Sequence, residues 1–240
     1  MMQWGFYFDQ TRCINCKTCV LACKAWNHER RGDSSIHPFF TWEKDDRYNE
    51  PSDYENLPGS DGGINYSEFN KYCMKENWRR VESFEYGVKP PEVYTINLSI
   101  SCNHCDNPAC VEICPTKYIY KEEKYGIVTI DESKICLSCG ACKKACPWDS
   151  PQFYDDIGLY KKNDPNTPKM TKCDLCIDRL EEGLKPACVA ACIVRALDAG
   201  PIDELKSRYP KYSEEALGFK RESFTKSGLR IGPNIIFKKR

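Results

Sequence analysis

The sequence predicts an α+β chain made of small modules nucleated by cysteine, and three observations predict it. Sixteen of the 17 cysteines fall into four sets of four. Short strands lead into two of these sets, at Trp4–Asp9 and at residues 93–100, where apolar and polar residues alternate. Between the first set and the others lies a stretch, residues 29–92, that is too long for a bare connection in a compact domain and contains a single cysteine, Cys73.

Composition narrows the possibilities. Of 240 residues 41% are apolar, a share that includes the cysteines, and 29% are charged, so the cores are not built mainly of hydrocarbon. Lys plus Arg and Asp plus Glu are both 35, and the resulting zero formal charge gives no footprint for nucleic acid. No run of 18 apolar residues exists, so no direct membrane span is expected. Residues 1–9 lack the basic, apolar and small-residue regions of an export signal, and Arg30-Arg31 and Arg79-Arg80 are interior pairs. The expected compartment is therefore the cytoplasm, with any membrane association or co-export supplied by a partner.

Taken in order, the aromatic strand Trp4–Asp9 runs into Cys13, Cys16, Cys19 and Cys23. Val20, Leu21, Ala22, Ala25 and Trp26 predict a short helix with Cys23 on its first turn. Residues 29–92 hold Phe39, Trp42, Tyr54, Trp78 and Phe84 among many aromatics, with a turn at Asp61-Gly62-Gly63, and predict an inserted element that packs against a partner. The strand at 93–100 delivers Cys102, Cys105, Cys110 and Cys114-Pro115. A hairpin of residues 118–120 and 127–131 around Gly126 delivers Cys136, Cys139, Cys142 and Cys146-Pro147. After a linker, residues 155–171, come Cys173 and Cys176, a helix through Leu175, Ile177, Leu180 and Leu184 capped by Gly183, then Cys188 and Cys192. Pro201 is expected at the first helical position of Ile202–Arg208, and residues 228–240 as an extended basic tail in solvent.

The spacing selects the chemistry. Disulfides would leave an odd thiol among 17 cysteines, and zinc sites normally use two separated Cys-x-x-Cys pairs. Cys-x-x-Cys-x-x-Cys-x-x-x-Cys, present at Cys13 and again at Cys136, is the bacterial ferredoxin signature, in which three thiolates hold one iron-sulfur cube and the fourth serves a neighbouring cube. The crossover rule then pairs Cys102, Cys105 and Cys110 with Cys146, and Cys136, Cys139 and Cys142 with Cys114. The outer sets serve each other: Cys13, Cys16 and Cys19 with Cys192, and Cys173, Cys176 and Cys188 with Cys23. Each cube with its thiolates carries about −2, and Lys17, Lys24, Lys134, Lys143, Lys144 and Lys172 would partly offset this unless they are simply solvated. His104, between two ligands, either donates to a sulfur or is solvated or bonded to backbone. His28 and His37 suggest no role, Cys73 is expected to be a plain buried or free thiol, and no catalytic set or phosphate-binding glycine loop is evident.

Several stretches together resemble a known family. They are Gly5-Phe6-Tyr7-Phe8-Asp9 with Arg12-Cys13, Lys17-Thr18-Cys19 with Leu21-Ala22-Cys23-Lys24, and Leu98-Ser99-Ile100-Ser101-Cys102-Asn103-His104-Cys105. They continue in Pro108-Ala109-Cys110, Ala145-Cys146-Pro147, Met170-Thr171-Lys172-Cys173-Asp174, Arg195-Ala196-Leu197-Asp198 and Gly200-Pro201-Ile202-Asp203-Glu204-Leu205. The chain resembles the iron-sulfur (beta) electron-transfer subunits of the molybdopterin oxidoreductases, with the pattern of the dimethyl sulfoxide reductase beta subunit.

The resemblance implies a non-catalytic subunit with four 4Fe-4S clusters. Such a subunit docks on a large molybdenum or tungsten pterin catalytic subunit and relays electrons to or from a quinone-linked membrane anchor or another redox partner. A free-standing polyferredoxin, or the iron-sulfur subunit of a pterin enzyme such as a transhydroxylase, is the alternative. The expected organisation is two nested ferredoxin-like two-cluster modules. The outer one is residues 1–28 with 172–200 and the inner one 93–154, joined by the 29–92 insertion and the 155–171 linker and followed by an extension, 201–240. Cys102 to Cys146 is then expected at the middle of a row of clusters.

Overall fold

The computed structural model describes residues 2–27, 77–153 and 169–238. Most of the expected insertion, with His28, His37 and Cys73, and the linker up to residue 168 lie outside the described residues. In chain order the elements are β1 (Trp4–Asp9), α1 (Thr18–Asn27), β2 (Arg80–Tyr86), β3 (Tyr94–Ile100), α2 (Ala109–Ile113), β4 (Ile119–Lys121), β5 (Val128–Ile130), α3 (Ala141–Ala145), β6 (Gln152–Phe153), β7 (Met170–Thr171), α4 (Ile177–Glu181), α5 (Ala187–Ala190), β8 (Leu197–Pro201), α6 (Ile202–Arg208) and β9 (Ile235–Lys238).

β1 is buried on both faces because its alternation supplies two apolar sides. Phe6 and Phe8 lie opposite Ala199 and Leu197 of antiparallel β8, and opposite Ile235 and Phe237 of parallel β9. These six pack into one core with Cys19, Cys23, Cys173, Cys188 and Cys192. On the other face Tyr7 and Ile236 meet Leu205 of α6. The sheet therefore presents one side to the cysteines and covers the other with a helix.

β9 overturns the solvated tail expected at 228–240. Ile231, Ile235, Ile236 and Phe237 are buried, and the segment is tied to the rest at several points. Asn107 N–H donates to Ile231 O, Asp106 N–H to Gly232 O and Asn234 N–H to Asn103 O. Gly232 adopts φ +64, and a Cβ there would stand 2.8 Å from Asp106 Oδ2. The basic residues of this stretch drew attention away from its apolar ones; a parallel strand needs a distant partner that local patterning cannot supply.

Other elements differ in detail. α1 begins at Thr18, so Cys19 rather than Cys23 occupies its first turn. Pro201 precedes α6 as its cap and also ends β8, because its φ of −53° and ψ of 131° are extended rather than helical. α4 starts at Ile177 and leaves out Leu175, because Leu175 and Cys176 are left-handed (φ 60° and 52°), but it ends in the predicted way: Gly183 has φ +73, Gly183 N–H reaches Leu180 O, and Leu184 N–H reaches Arg179 O, a Schellman arrangement. The last part of the stretch assigned to the insertion contributes Trp78, Arg79 and β2 to the body, and β2 pairs along its length with β3, Arg80 opposite Ile100 through Tyr86 opposite Tyr94. Among the described residues no helix is long and apolar enough to cross a membrane.

Candidate metal-cluster sites

The four cysteine loops share one local construction. The second residue after each leading cysteine has a left-handed backbone: Asn15 (φ 57°), His104 (44°), Ser138 (48°) and Leu175 (60°). Such a turn aims successive N–H groups into a concavity that favours an anion. Ser138 N–H donates to Cys136 Sγ and Leu175 N–H to Cys173 Sγ, both at 3.4 Å, and the backbone of Asn15 and His104 serves Cys13 and Cys102 in the same way.

The third cysteine of each set is the second residue of a helix: Cys19 in α1, Cys110 in α2, Cys142 in α3 and Cys188 in α5. The fourth follows four residues later, about one helical turn on, which separates it from the third along the helix axis. Cys114 and Cys146 stand at the C-caps of α2 and α3. Past two of these cysteines the backbone turns back, so that Ser150 N–H meets Cys146 Sγ at 3.4 Å and Ala196 N–H meets Cys192 Sγ at 3.2 Å.

Four groupings result. Cys13, Cys16, Cys19 and Cys192 line one small cavity with Phe8 and Val81. Cys23 faces Cys188, Cys173 and Cys176. Cys102, Cys105, Cys110 and Cys146 line a third cavity, and Cys114, Cys136, Cys139 and Cys142 a fourth. Among the described residues no three His, Cys, Asp or Glu side chains are arranged to hold a single metal ion. The thiols of the first, third and fourth groupings stand around cavities instead.

The residues present fit an anionic iron-sulfur group. Burial pushes the Cys142 and Cys176 thiols up to about 12, so they ionise at neutral pH only around a cationic metal core. In the third cavity both side-chain amide atoms of Asn103 are buried without a hydrogen-bond partner. His104 is fully buried; its Nδ1 accepts from Val128 N–H at 3.1 Å, which leaves the proton on Nε2, 3.9 Å from Cys173 Sγ. Burial and the nearby Lys172 hold this imidazole well below its usual pKa, so it is both the backbone-bonded and the sulfur-donating group that the sequence left as alternatives.

The groupings form a row. Cys19 of the first interacts with Cys188 of the second, Cys173 of the second with Cys102 of the third, and Cys110 of the third with Cys142 of the fourth. Exposure follows the same order: the second grouping is wholly buried, whereas Cys16 of the first is exposed and Cys114, Cys136 and Cys139 of the fourth are half-buried. The stretch Cys102 to Cys146 thus supplies the third and fourth positions and reaches one end of the row. The expectation that it lies in the middle is corrected, because nesting in sequence does not place both inner positions between the outer ones.

Each end carries bare hydrocarbon beside its thiols. Ile14 and Ile193 are 62% and 64% exposed at the first position, and Ile135 is 71% exposed at the fourth. Beside the first position a wide groove is lined by Arg12, Lys185, Arg195, Arg208, Lys211 and Lys238, with Asp9 and Asp198 among them.

Sequence reasoning missed Arg79 and the serines that hold it. Arg79 is almost fully buried; Nη1 donates to Ser99 Oγ at 3.1 Å and Nη2 to Ser101 Oγ at 2.8 Å. The only signal was an arginine next to Trp78 entering a half-apolar strand. Of the six lysines considered as counter-charges, Lys172 alone is buried, bonded to the carbonyl oxygens of Val128 and Cys173.

A family model described as a 4Fe-4S dicluster domain matches residues 93–202, and one described as a 4Fe-4S binding domain matches residues 4–25. The protein is 36% identical over 232 residues to the B subunit of the anaerobic dimethyl sulfoxide reductase of Escherichia coli strain K12, a match spanning 97% of this sequence and 89% of the relative. It is 37% identical over 209 residues to the B subunit of the corresponding Haemophilus influenzae reductase, spanning 87% and 79%. It is 30% identical over 241 aligned residues to the perchlorate reductase subunit beta of Dechloromonas aromatica, spanning 87% and 68%.

Proposed function

From the premise that this protein belongs to the iron-sulfur beta-subunit family of dimethyl sulfoxide reductase-type oxidoreductases, we propose which residues hold its clusters and how it meets its partners. The protein is a non-catalytic electron-transfer subunit with four 4Fe-4S clusters. A 4Fe-4S cube takes up and releases one electron with little structural change. The ligands we assign are Cys13, Cys16, Cys19 and Cys192 at the first position, and Cys23, Cys173, Cys176 and Cys188 at the second. Cys102, Cys105, Cys110 and Cys146 take the third, and Cys114, Cys136, Cys139 and Cys142 the fourth. The observation that carries this assignment is the repeated loop, left-handed at the same residue in all four sets, with the crossover cysteine four residues past the third.

In this reading the residues 1–28 with 172–200 form an outer two-cluster module around an inner one, 93–154. Aliphatic shells keep the two central positions dry, and electrons enter or leave at the exposed ends. One end docks on a large molybdenum or tungsten pterin catalytic subunit. The other meets a quinone-linked anchor or a further redox partner, which also supplies any attachment to a membrane. Purification of the complex is expected to bring down a large pterin-containing subunit, with about 16 iron and 16 acid-labile sulfide per copy of this protein. A stable, fully loaded protein isolated alone would favour the free-standing carrier instead.

The ends can be separated by charge. Ile193→Glu and Ile135→Glu should each weaken electron exchange with one partner by tenfold or more, a loss of about 1.4 kcal/mol in docking, while leaving iron content unchanged. If either substitution slowed exchange with both partners equally, the two-ended arrangement would be wrong.

A further inference from the structure

Arg79 poses a problem that hydrogen bonds alone do not solve. The residue is 2% exposed and its guanidinium lies over the Phe6 ring, with Cζ 4.5 Å from the centroid. The two serine bonds satisfy part of its fork, but Nε is buried with no hydrogen-bond partner. Among the described residues no carboxylate forms a salt bridge with it. A buried cation without a counter-ion is strongly unfavourable, so the fold must supply negative charge of another kind. What surrounds Arg79 is thiol: Cys19 from the first position and Cys23, Cys173 and Cys188 from the second. Ser99 Oγ, which holds Nη1, stands 3.5 Å from Cys19 Sγ.

Lys172 repeats the arrangement one step along the row. It is 3% exposed, lines the third cavity, and has its Nζ held by the carbonyl oxygens of Val128 and Cys173; the charges it feels most strongly are Cys102 of the third position, Cys173 of the second and Cys110 of the third, with the Asp174 carboxylate after them. The most strongly felt groups around Cys142, at the fourth position, are three other thiols and the Lys143 backbone.

We propose that Arg79 and Lys172 are built-in counter-charges interleaved between successive clusters, Arg79 serving the first and second and Lys172 the second and third, and that they raise the reduction potentials of those clusters relative to the fourth. The physical reason is direct. Reduction adds negative charge to a group already about −2, and a fixed cation in a low-dielectric interior stabilises the reduced form. A charge shared by two clusters shifts both potentials in the same direction, so it raises the pair without much changing the step between them. Neither residue is a ligand; both act by position. The inference rests on the ligand sets proposed above.

The test is an EPR-monitored redox titration of the intact complex carrying Arg79→Gln. Two of the four midpoints are expected to fall, each by roughly a tenfold change in the one-electron equilibrium, or about 59 mV, with the other two unmoved. Arg79→Lys, which keeps the charge without the fork, should restore most of the shift. Lys172→Gln should lower a different pair that overlaps the first in one cluster. If Arg79→Gln does not assemble, Arg79→Met and Lys172→Gln carry the same test. Midpoints unchanged in fully loaded variants, or lowered as much by Arg79→Lys as by Arg79→Gln, would overturn the proposal. Wild-type complex containing fewer than four cubes would instead defeat the ligand assignment, whatever the variants do.

Discussion

Replacing Cys114 by serine removes or remodels the cluster of Cys136, Cys139 and Cys142, and spares the one nearer in sequence that begins at Cys102. The expectation follows from α2. Cys110 at its start lines the cavity with Cys102, Cys105 and Cys146, whereas Cys114 at its end lines the cavity with Cys136, Cys139 and Cys142. One helical turn along a short helix is enough to send two cysteines of the same set to different sites. Iron should fall from about 16 to about 12 per protein if the cube is lost, or to about 15 if a three-iron cluster survives. Because the fourth position ends the row, the signals of the first two clusters should keep their shape and potential. EPR showing loss of the Cys102 cluster in this variant would refute the crossover, and with it the whole ligand assignment.

Removal of residues 229–240 is the second large effect, and it should destabilise a site far away in sequence. β9 covers the edge of β1, setting Ile235 against Phe6 and Phe237 against Phe8. Phe8 lines the first cavity with Cys13, Cys16, Cys19 and Cys192. The truncated protein should therefore lose thermal stability and retain the first cluster least well, measured as iron content and as the fraction of that cluster's EPR signal. Phe237→Ala is the milder version. A fully buried phenylalanine truncated to alanine costs about 3–5 kcal/mol, and the cavity would open directly behind Phe8. A truncated protein with unchanged melting and full iron would mean that β9 is dispensable.

The ligand loops were legible in the sequence because everything that shapes them is local. In the sets that start at Cys13 and Cys136, three thiolates and the fourth thiol one turn beyond the third all lie within 11 residues. Gly183 was legible as a helix end and Trp4–Asp9 as a strand for the same reason. His104 was only half legible: its place between two ligands was visible, but its tautomer is set by Val128 N–H, contributed from β5.

The sequence by itself determined the number of cluster positions, their chemistry and the family, since these depend on residue type and short spacing. Tertiary structure alone decided the order of the row, the docking of residues 231–238 beside β1, and the place of Arg79. Each of the three is an encounter between segments far apart in the chain. Arg79 enters the body only because β2 pairs with β3, which brings the guanidinium to Ser99 and Ser101 beside thiols from both ends of the chain. A charge acts on what is near it in space, and no local pattern states that distance.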